Sequence, residues 1–317
     1  MILTLTANPS HDRTIALPDP LRRGSVQRAT SVTSQPGGKG VNISRACVAA
    51  GVPTLAVLPA PDDDPFVHEL TALGVDCCPV DQPGSLRVNL TISEPDGTTT
   101  KLNSPGPRMT DETRATITEE LKKRAAQSDW VVLAGSLPPG APPEWYAELV
   151  ATLSGSRVAV DTSDAPLTAL VERLDVAAPA LMKPNGHELA SLTGHDGDRL
   201  ESDPAAAARA AAELVRRGVG AVLVTLGEHG AVLVDADGAW HAAAPPTTVV
   251  STVGAGDSSL FGYLLATLED RAPADRLALA VAYGSAAAGL PGTTVPRPSE
   301  VDPSRVEVSR LDLTLEV

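Results

Sequence analysis

Residues 37–59 read GGKGVNISRACVAAGVPTLAVLP. A glycine-rich turn opens the stretch, Val41–Ala50 carries a helical pattern that Gly51 stops, and Thr54–Pro59 is a short aliphatic run of strand type. The same grammar extends in both directions. Upstream, Ile2–Thr6 reads as a strand. Downstream, Phe66–Leu73 reads as a helix ending at Gly74, with a strand over Asp76–Val80. Thr110 heads a charged helix to about Gln127, and Trp130–Ala134 reads as a buried strand. Strands over Arg157–Asp161, Ala180–Lys183 and Ala221–Thr225 follow, with a helix over Pro204–Arg217 between the last two. Asp257–Leu268 places Leu260, Phe261, Leu264, Leu265 and Leu268 on one helical face. This alternation predicts an α/β fold: a mainly parallel central sheet flanked by helices on both faces.

Two segments break the rhythm. Leu86–Ser93 and Thr98–Leu102 flank Glu94-Pro95-Asp96-Gly97, a hairpin signature. Residues from about Ala16 to Val32 alternate weakly without a helical period. Together they predict a small, discontinuous β-sheet, a lid from about residues 12–34 and 84–106 inserted in one domain spanning residues 1–317.

Composition narrows the function classes. Lys and Arg number 25 against 39 Asp and Glu, a net charge of −14. That balance argues against a nucleic-acid or anionic-membrane partner, each of which needs a basic footprint. With 43% hydrophobic residues but only 3% aromatics, the chain can build a large core, and an aliphatic one. Three cysteines, two of them adjacent, make no disulfide framework. The N-terminal segment lacks the pattern of a secretory signal, and the weakly polar Leu277–Leu290 is too short to span a membrane. A soluble cytoplasmic protein is expected.

Four segments carry chemistry. In Ser251-Thr252-Val253-Gly254-Ala255-Gly256-Asp257 the glycines allow close backbone approach, and the helix that follows offers free N–H groups to a phosphate. Asp257 can there accept a proton from an attacking hydroxyl, or simply cap the helix. Pro36–Asn42 brings three glycines together with the donors Lys39 and Asn42; it lacks the spacing of a Walker loop. Lys183-Pro184-Asn185-Gly186-His187-Glu188 follows a strand and opens a helix. Asn185 and Glu188 can hold a water-rich Mg²⁺ from that first turn, or close a capping box, which on the residues alone is the stronger reading. In Arg87-Val88-Asn89-Leu90-Thr91-Ile92, alternation puts Arg87, Asn89 and Thr91 on a polar face, free to meet a phosphate or solvent.

In this order the segments resemble the PfkB-type carbohydrate kinases of the ribokinase-like superfamily. GGKGVN stands near the start and GAGD near the end, with Gly135-Ser136-Leu137-Pro138-Pro139-Gly140 and Lys183-Pro184-Asn185-x-x-Glu188 between them. The opening Asn8-Pro9-x-x-Asp12, Arg87-x-Asn89 and GSLPPG look like the phosphosugar branch, and STVGAGDS looks most like 1-phosphofructokinases. The resemblance implies ATP and Mg²⁺ as cofactors. It also implies phosphorylation of a hexose phosphate at a free primary hydroxyl, fructose 1-phosphate to fructose 1,6-bisphosphate before tagatose 6-phosphate or fructose 6-phosphate. A nucleoside or unphosphorylated-sugar kinase, or a catalytically silent sugar-phosphate sensor, are the rival readings. By the same resemblance Asp257 is the catalytic base and Gly254, Ala255 and Gly256 the anion hole. Asp12, Gly38, Lys39 and Asn42 contact the sugar, and Arg87 and Ser136 its phosphate. Lys183, Asn185 and Glu188 serve the nucleotide phosphates and, through water, the metal; Thr225, Gly227, Gly230 and Ser285 line the nucleotide. A homodimer through the lid is implied as well. Ser104 departs from the Glu that relatives often carry.

Overall fold

The computed structural model describes residues 1–313. In chain order its strands are β1 (Ile2–Thr6), β2 (Ser10–Ala16), β3 (Ser31–Gly37), β4 (Thr54–Pro59), β5 (Cys77–Val80), β6 (Arg87–Ser93) and β7 (Thr99–Asn103). They continue with β8 (Trp130–Ala134), β9 (Val158–Asp161), β10 (Leu181–Met182), β11 (Ala221–Thr225), β12 (Ala231–Asp235), β13 (Gly238–Ala242) and β14 (Val308–Leu311). The helices are α1 (Lys39–Ala49), α2 (Pro65–Ala72), α3 (Asp111–Ala125), α4 (Trp145–Thr152) and α5 (Asp164–Glu172). After them come α6 (Gly186–Thr193), α7 (Gly197–Ser202), α8 (Pro204–Arg216), α9 (Ala255–Leu268) and α10 (Pro273–Ala288).

The large sheet has the order β14-β13-β12-β11-β10-β9-β8-β1-β4-β5. From β5 to β11 every pairing is parallel, while β11 through β14 pair antiparallel. The parallel core is as the sequence predicts. The antiparallel edge is an addition, because nothing local in Ala231–Asp235 or Val308–Leu311 states the direction of its neighbour. Alternate strand residues feed two cores. Leu3, Leu5, Val131 and Leu133 pack with α3, α4, α5 and α8, and Ile2, Trp130 and Val132 with α1, α9 and α10. The alanines of α8 (Ala207, Ala208, Ala210, Ala211) are fully buried, so a core poor in aromatics closes by bringing helix and sheet near each other.

Leu277–Leu290, read above only as a short weakly polar stretch, belongs mostly to α10, whose Leu277, Ala280 and Tyr283 are buried against α9. Among the described residues no helix is long and apolar enough to cross a membrane.

The second sheet has the order β3-β2-β6-β7. The hairpin falls as expected. The first excursion does not: its strands lie on either side of the weakly alternating segment, at 10–16 and 31–37, and residues 17–30 connect them. Pro18, Pro20 and Gly24 keep that connection out of a ladder, whereas Pro36 and Gly37 are tolerated because β3 is an edge strand. Register places Gln35, Asp12, Asn89 and Asn103 in one cross-strand row, with Arg87 beside Ser10 on the same face. Ile15, Val32, Leu90, Ile92 and Leu102 fall on the other face, which matches the alternation read for Arg87–Ile92.

Candidate active site

β1 pairs with β4 on one side and β8 on the other, so strand order reverses there and a crevice opens at the carboxyl ends of the strands. A cavity of about 580 Å³ fills it. Its walls come from strand ends (Thr6, Ser136, Lys183, Thr225), from the small sheet's polar face (Ser10, Asp12, Arg87, Asn89), and from the first turns of α1 and α9.

Those two helices begin earlier than the sequence suggests. Gly38 (φ 124°) and Gly254 (φ 81°) are their N-caps, in backbone conformations that suit glycine. A side chain at Gly38 would also collide with Thr6. Asp257 is therefore not a cap but the third residue of α9. It is buried, and Asn42 Nδ2 on α1 donates to its Oδ2 at 2.8 Å. Burial raises the Asp257 pKa above the ordinary aspartate value, against the pull of Lys39.

Beneath both helix termini lies Asp161, at the end of β9 and fully buried. Lys39 Nζ donates to its Oδ1 at 2.6 Å. Lys183 Nζ stands 3.1 Å from Oδ2, an ion pair off the line of a directed hydrogen bond. Burial would raise the Asp161 pKa, but Lys183 and Lys39 outweigh it and hold the carboxyl below its usual value. Burial likewise opposes the Lys39 ammonium, yet Asp161, and Asp257 behind it, lift its pKa above that of an ordinary lysine. Lys183 also lies against α9: a Cβ on Gly256 would come within 3.3 Å of its Nζ.

At the small-sheet end, Arg87 Nε and one Nη hold the Asn8 carbonyl at 3.1 and 2.9 Å, and the other Nη holds that of Ser104 at 3.2 Å. Arg87 Nη2 also lies 3.5 Å from Ser136 Oγ. Ser104 acts through its backbone here, and its hydroxyl donates to the Val88 carbonyl. Asp12 accepts from Ser10 Oγ at 2.7 Å and from Asn89 Nδ2 at 3.1 Å.

A second cavity of about 730 Å³ adjoins the first, and Asn185, Thr225 and Gly256 line both. Its walls include the apolar Pro245, Val249 and Val281.

The pfkB family carbohydrate kinase description matches residues 7–300. The chain belongs to that family. The 1-phosphofructokinase of Xanthomonas campestris is 37% identical over 288 residues, covering 89% of this chain and 89% of that protein. The 1-phosphofructokinase of Haloferax volcanii is 35% identical over 315 residues, 98% of each chain. The structure of Escherichia coli phosphofructokinase-2 in complex with substrates and products superposes with a TM-score of 0.86, at 30% identity over 94% of this chain and 96% of that one.

In this PfkB-family chain every residue to which the resemblance gives a site role lies at one of the two cavities. Asp12, Gly38, Lys39, Asn42, Arg87, Ser136, Lys183, Asn185, Glu188, Gly254 and Asp257 line the first. Ala255, Gly227, Gly230 and Ser285 line the second; Asn185, Thr225 and Gly256 line both. Asn185 and Glu188 do close a capping box: Asn185 Oδ1 accepts from the Glu188 amide at 2.7 Å and Glu188 Oε2 from the Asn185 amide at 2.9 Å. Among the described residues no cluster of three His, Cys, Asp or Glu side chains forms a metal cage. Sequence reasoning passed over Asp161, although a carboxylate ending the apolar run Val158-Ala159-Val160 is itself a signal. It also passed over Asn103, Ser163, Asp164 and Thr293.

Proposed function

We propose that the chain transfers the terminal phosphoryl group of ATP to a hexose phosphate, fructose 1-phosphate first, giving fructose 1,6-bisphosphate. The observation that carries this reading is the meeting of Asp257 with Arg87, Lys39 and Lys183 in one cavity. A buried carboxylate stands at a helix N-terminus, with cations on the walls to hold dianions in an otherwise acidic chain. The curated 1-phosphofructokinases favour fructose 1-phosphate.

Asp257 takes the proton of the primary hydroxyl as that oxygen bonds to phosphorus and the bond to the departing ADP oxygen breaks. Gly254, Ala255 and Gly256 present backbone N–H groups to the phosphoryl group. Asp12, Gly38 and Asn42 seat the sugar, Arg87 and Ser136 its phosphate, and Lys39 and Lys183 offset charge. Thr225, Gly227, Gly230 and Ser285 border the second cavity, whose apolar walls suit a nucleoside. Glu188 and Asn185 fit a Mg²⁺ that keeps its waters and binds chiefly to phosphates, since a full protein cage is absent from the described residues. When bound, that ion supplies charge neutralisation of the nucleotide. An acidic chain with free cysteines fits a cytoplasmic enzyme. Release of ADP measured in parallel with fructose 1-phosphate, fructose 6-phosphate and tagatose 6-phosphate tests the reading. Fructose 1-phosphate should give the highest kcat/KM, and absence of turnover with all three would sink it.

Arg87 gives a sharper check. Its planar fork is fixed by the Asn8 and Ser104 carbonyls, so it reaches a dianion with little ordering cost. A charge-assisted contact contributes about 1.5–3 kcal/mol, so Arg87→Ala should lower kcat/KM for the sugar phosphate about 10- to 150-fold. Turnover of the unphosphorylated sugar should barely change; an equal loss on both would assign Arg87 to the fold.

The small sheet acts as a lid, its polar face toward the sugar and its apolar face toward a second copy of the chain. Val32 and Leu102 support the second half: they are 61% and 53% exposed on that face, beside Ile15, Leu90 and Ile92. Sugar phosphate should slow amide exchange across residues 87–103. Val32→Asp combined with Leu102→Asp should sediment as a monomer where the parent sediments as a dimer. Unchanged exchange would remove the lid, and unchanged sedimentation the interface.

A further inference from the structure

The two cavities differ in the charges on their walls. The first holds Lys39, Arg87 and Lys183, which suit phosphates. Among the described residues, those lining the second include no Lys or Arg but two carboxylates, Glu201 and Glu228. The Glu228 side chain is 91% exposed and so well served by water, whereas that of Glu201 is only 29% exposed. A carboxylate partly withdrawn from water is costly unless hydrogen-bond donors reach it, and with no cation beside it the donor cannot be a phosphate.

Glu201 is fixed from several directions. It lies near the end of α7, whose N-cap Asp196 accepts from the Arg199 amide at 2.8 Å. Asp203, the N-cap of α8, follows at once and accepts from the Ala205 and Ala206 amides at 3.0 Å. Glu201 Oε2 accepts from the Gly186 amide of α6 at 3.0 Å, with His187 Nδ1 3.6 Å away. A side chain at Gly186 would collide with that oxygen, so the glycine is what lets α7 close on α6. The other oxygen, Oε1, takes no hydrogen bond among the described residues. It lies along Gly227, where a Cβ would stand 3.4 Å from it. One oxygen is thus anchored, and the other is left beside a glycine that also lines the second cavity.

The order of groups along the cavities indicates what meets Oε1. Asn185, Thr225 and Gly256 line both cavities and mark the passage of the phosphates into the first. Pro245, Val249 and Val281 give the second its apolar wall, which suits the base. Glu201 is bonded to Gly186, the residue after Asn185, and so stands beside the phosphate passage rather than within the apolar wall. The part of a nucleotide between its phosphates and its base is the ribose. Its hydroxyls are neutral donors, and a carboxylate accepting from them is a known solution in nucleotide-binding folds. We propose that Glu201 Oε1 accepts a hydrogen bond from a ribose hydroxyl of the nucleotide, and so makes the site prefer ribonucleotides to deoxyribonucleotides. The inference rests on the reading of the second cavity as the nucleotide's.

Calorimetric titration with the magnesium complexes of ADP, 2′-deoxy-ADP, 3′-deoxy-ADP and inosine diphosphate reads binding without turnover. The wild type should bind ADP about 10- to 150-fold more tightly than at least one of the deoxy nucleotides, the range of a charge-assisted hydrogen bond. Glu201→Ala should lose that preference and bind ADP and the deoxy nucleotide alike. Glu201→Gln keeps an acceptor for the Gly186 amide and sets an NH₂ group beside Gly227. It should melt near the wild-type temperature and discriminate less than the wild type, which decides the matter should Ala disturb the start of α6. The proposal is overturned if the wild type binds ADP and both deoxy nucleotides equally. It is overturned too if Ala weakens all of them by one factor, the mark of a carboxylate that only holds α6. Discrimination confined to inosine diphosphate would put Glu201 at the base and overturn it likewise. A wild type that binds none of the nucleotides removes the nucleotide reading and the proposal together, whereas one that binds ADP without preference removes only the role of Glu201.

Discussion

Asp257→Asn should lower kcat by about 10²–10⁴ while leaving nucleotide binding near that of the parent enzyme. The substitution keeps the size of the group and removes its ability to take a proton. If Asp257 is the base proposed above, the wild type should also show an acid limb, because a base must be ionised to take a proton, and burial puts its pKa above the ordinary aspartate value. Activity is then lost as pH falls through that raised value, and the limb should vanish from the Asn variant. The same sign governs stability. A carboxyl whose pKa is raised by folding weakens the fold at neutral pH, and the penalty is relieved as pH drops. Asp257→Asn should therefore melt at or above the wild-type temperature at pH 7, with the difference shrinking in acid. Near-normal kcat in a folded variant would remove the assignment.

Asp161→Asn should cost both stability and activity. The carboxylate is fully buried between Lys39 and Lys183, and its loss leaves two ammonium groups without their common partner. Breaking a buried ion pair by removing one side typically costs about 3–5 kcal/mol. Freed from Asp161, the lysines no longer hold fixed positions against α9, and misplacement on the order of 1 Å costs about 100-fold in rate. Here the pH dependence runs opposite to that of Asp257. The Asp161 pKa is depressed by folding, so its stabilisation is present above the usual carboxylate range and lost as pH falls through the depressed value. Chemical denaturation from neutral to acid pH should show this loss in the parent and not in the variant. An unchanged denaturation midpoint at pH 7 would show that Asp161 does not organise the two lysines.

What could be read from the chain follows from the range of the interactions involved. Trp130–Ala134 and Ala221–Thr225 match the sequence reading residue for residue because a strand buried on both faces must be a short unbroken apolar run. Thr110 was legible as a cap because the hydroxyl and the amide it serves are three residues apart. The candidate site was legible where glycines and charges cluster locally, as at Gly37–Asn42 and Gly254–Asp257. Asp161 was not singled out because its partners lie 22 and 122 residues away, and a lone carboxylate does not announce them. The polar face read for Arg87 holds, but its grip on Asn8 reaches the bend between β1 and β2, 79 residues away, and leaves no periodic trace. The strands 10–16 and 31–37 are blurred for a further reason: Asp12 lines the cavity, and a side chain at Gly37 would collide with its carboxylate, so neither position follows the ladder's alternation alone.

The antiparallel edge of the large sheet has a consequence for how the chain is made. β13 finds its outer neighbour in β14, residues 308–311, near the end of the sequence. During synthesis the β12–β13 hairpin emerges some seventy residues ahead of the strand that covers it, so its free edge is open to pairing with another nascent chain. Trp240 and His241 stand on that edge, and Arg310 later lies over the Trp240 ring. β14 thus acts as a closing seam, and a chain cut short before residue 308 keeps β13 as an unpaired edge of the large sheet.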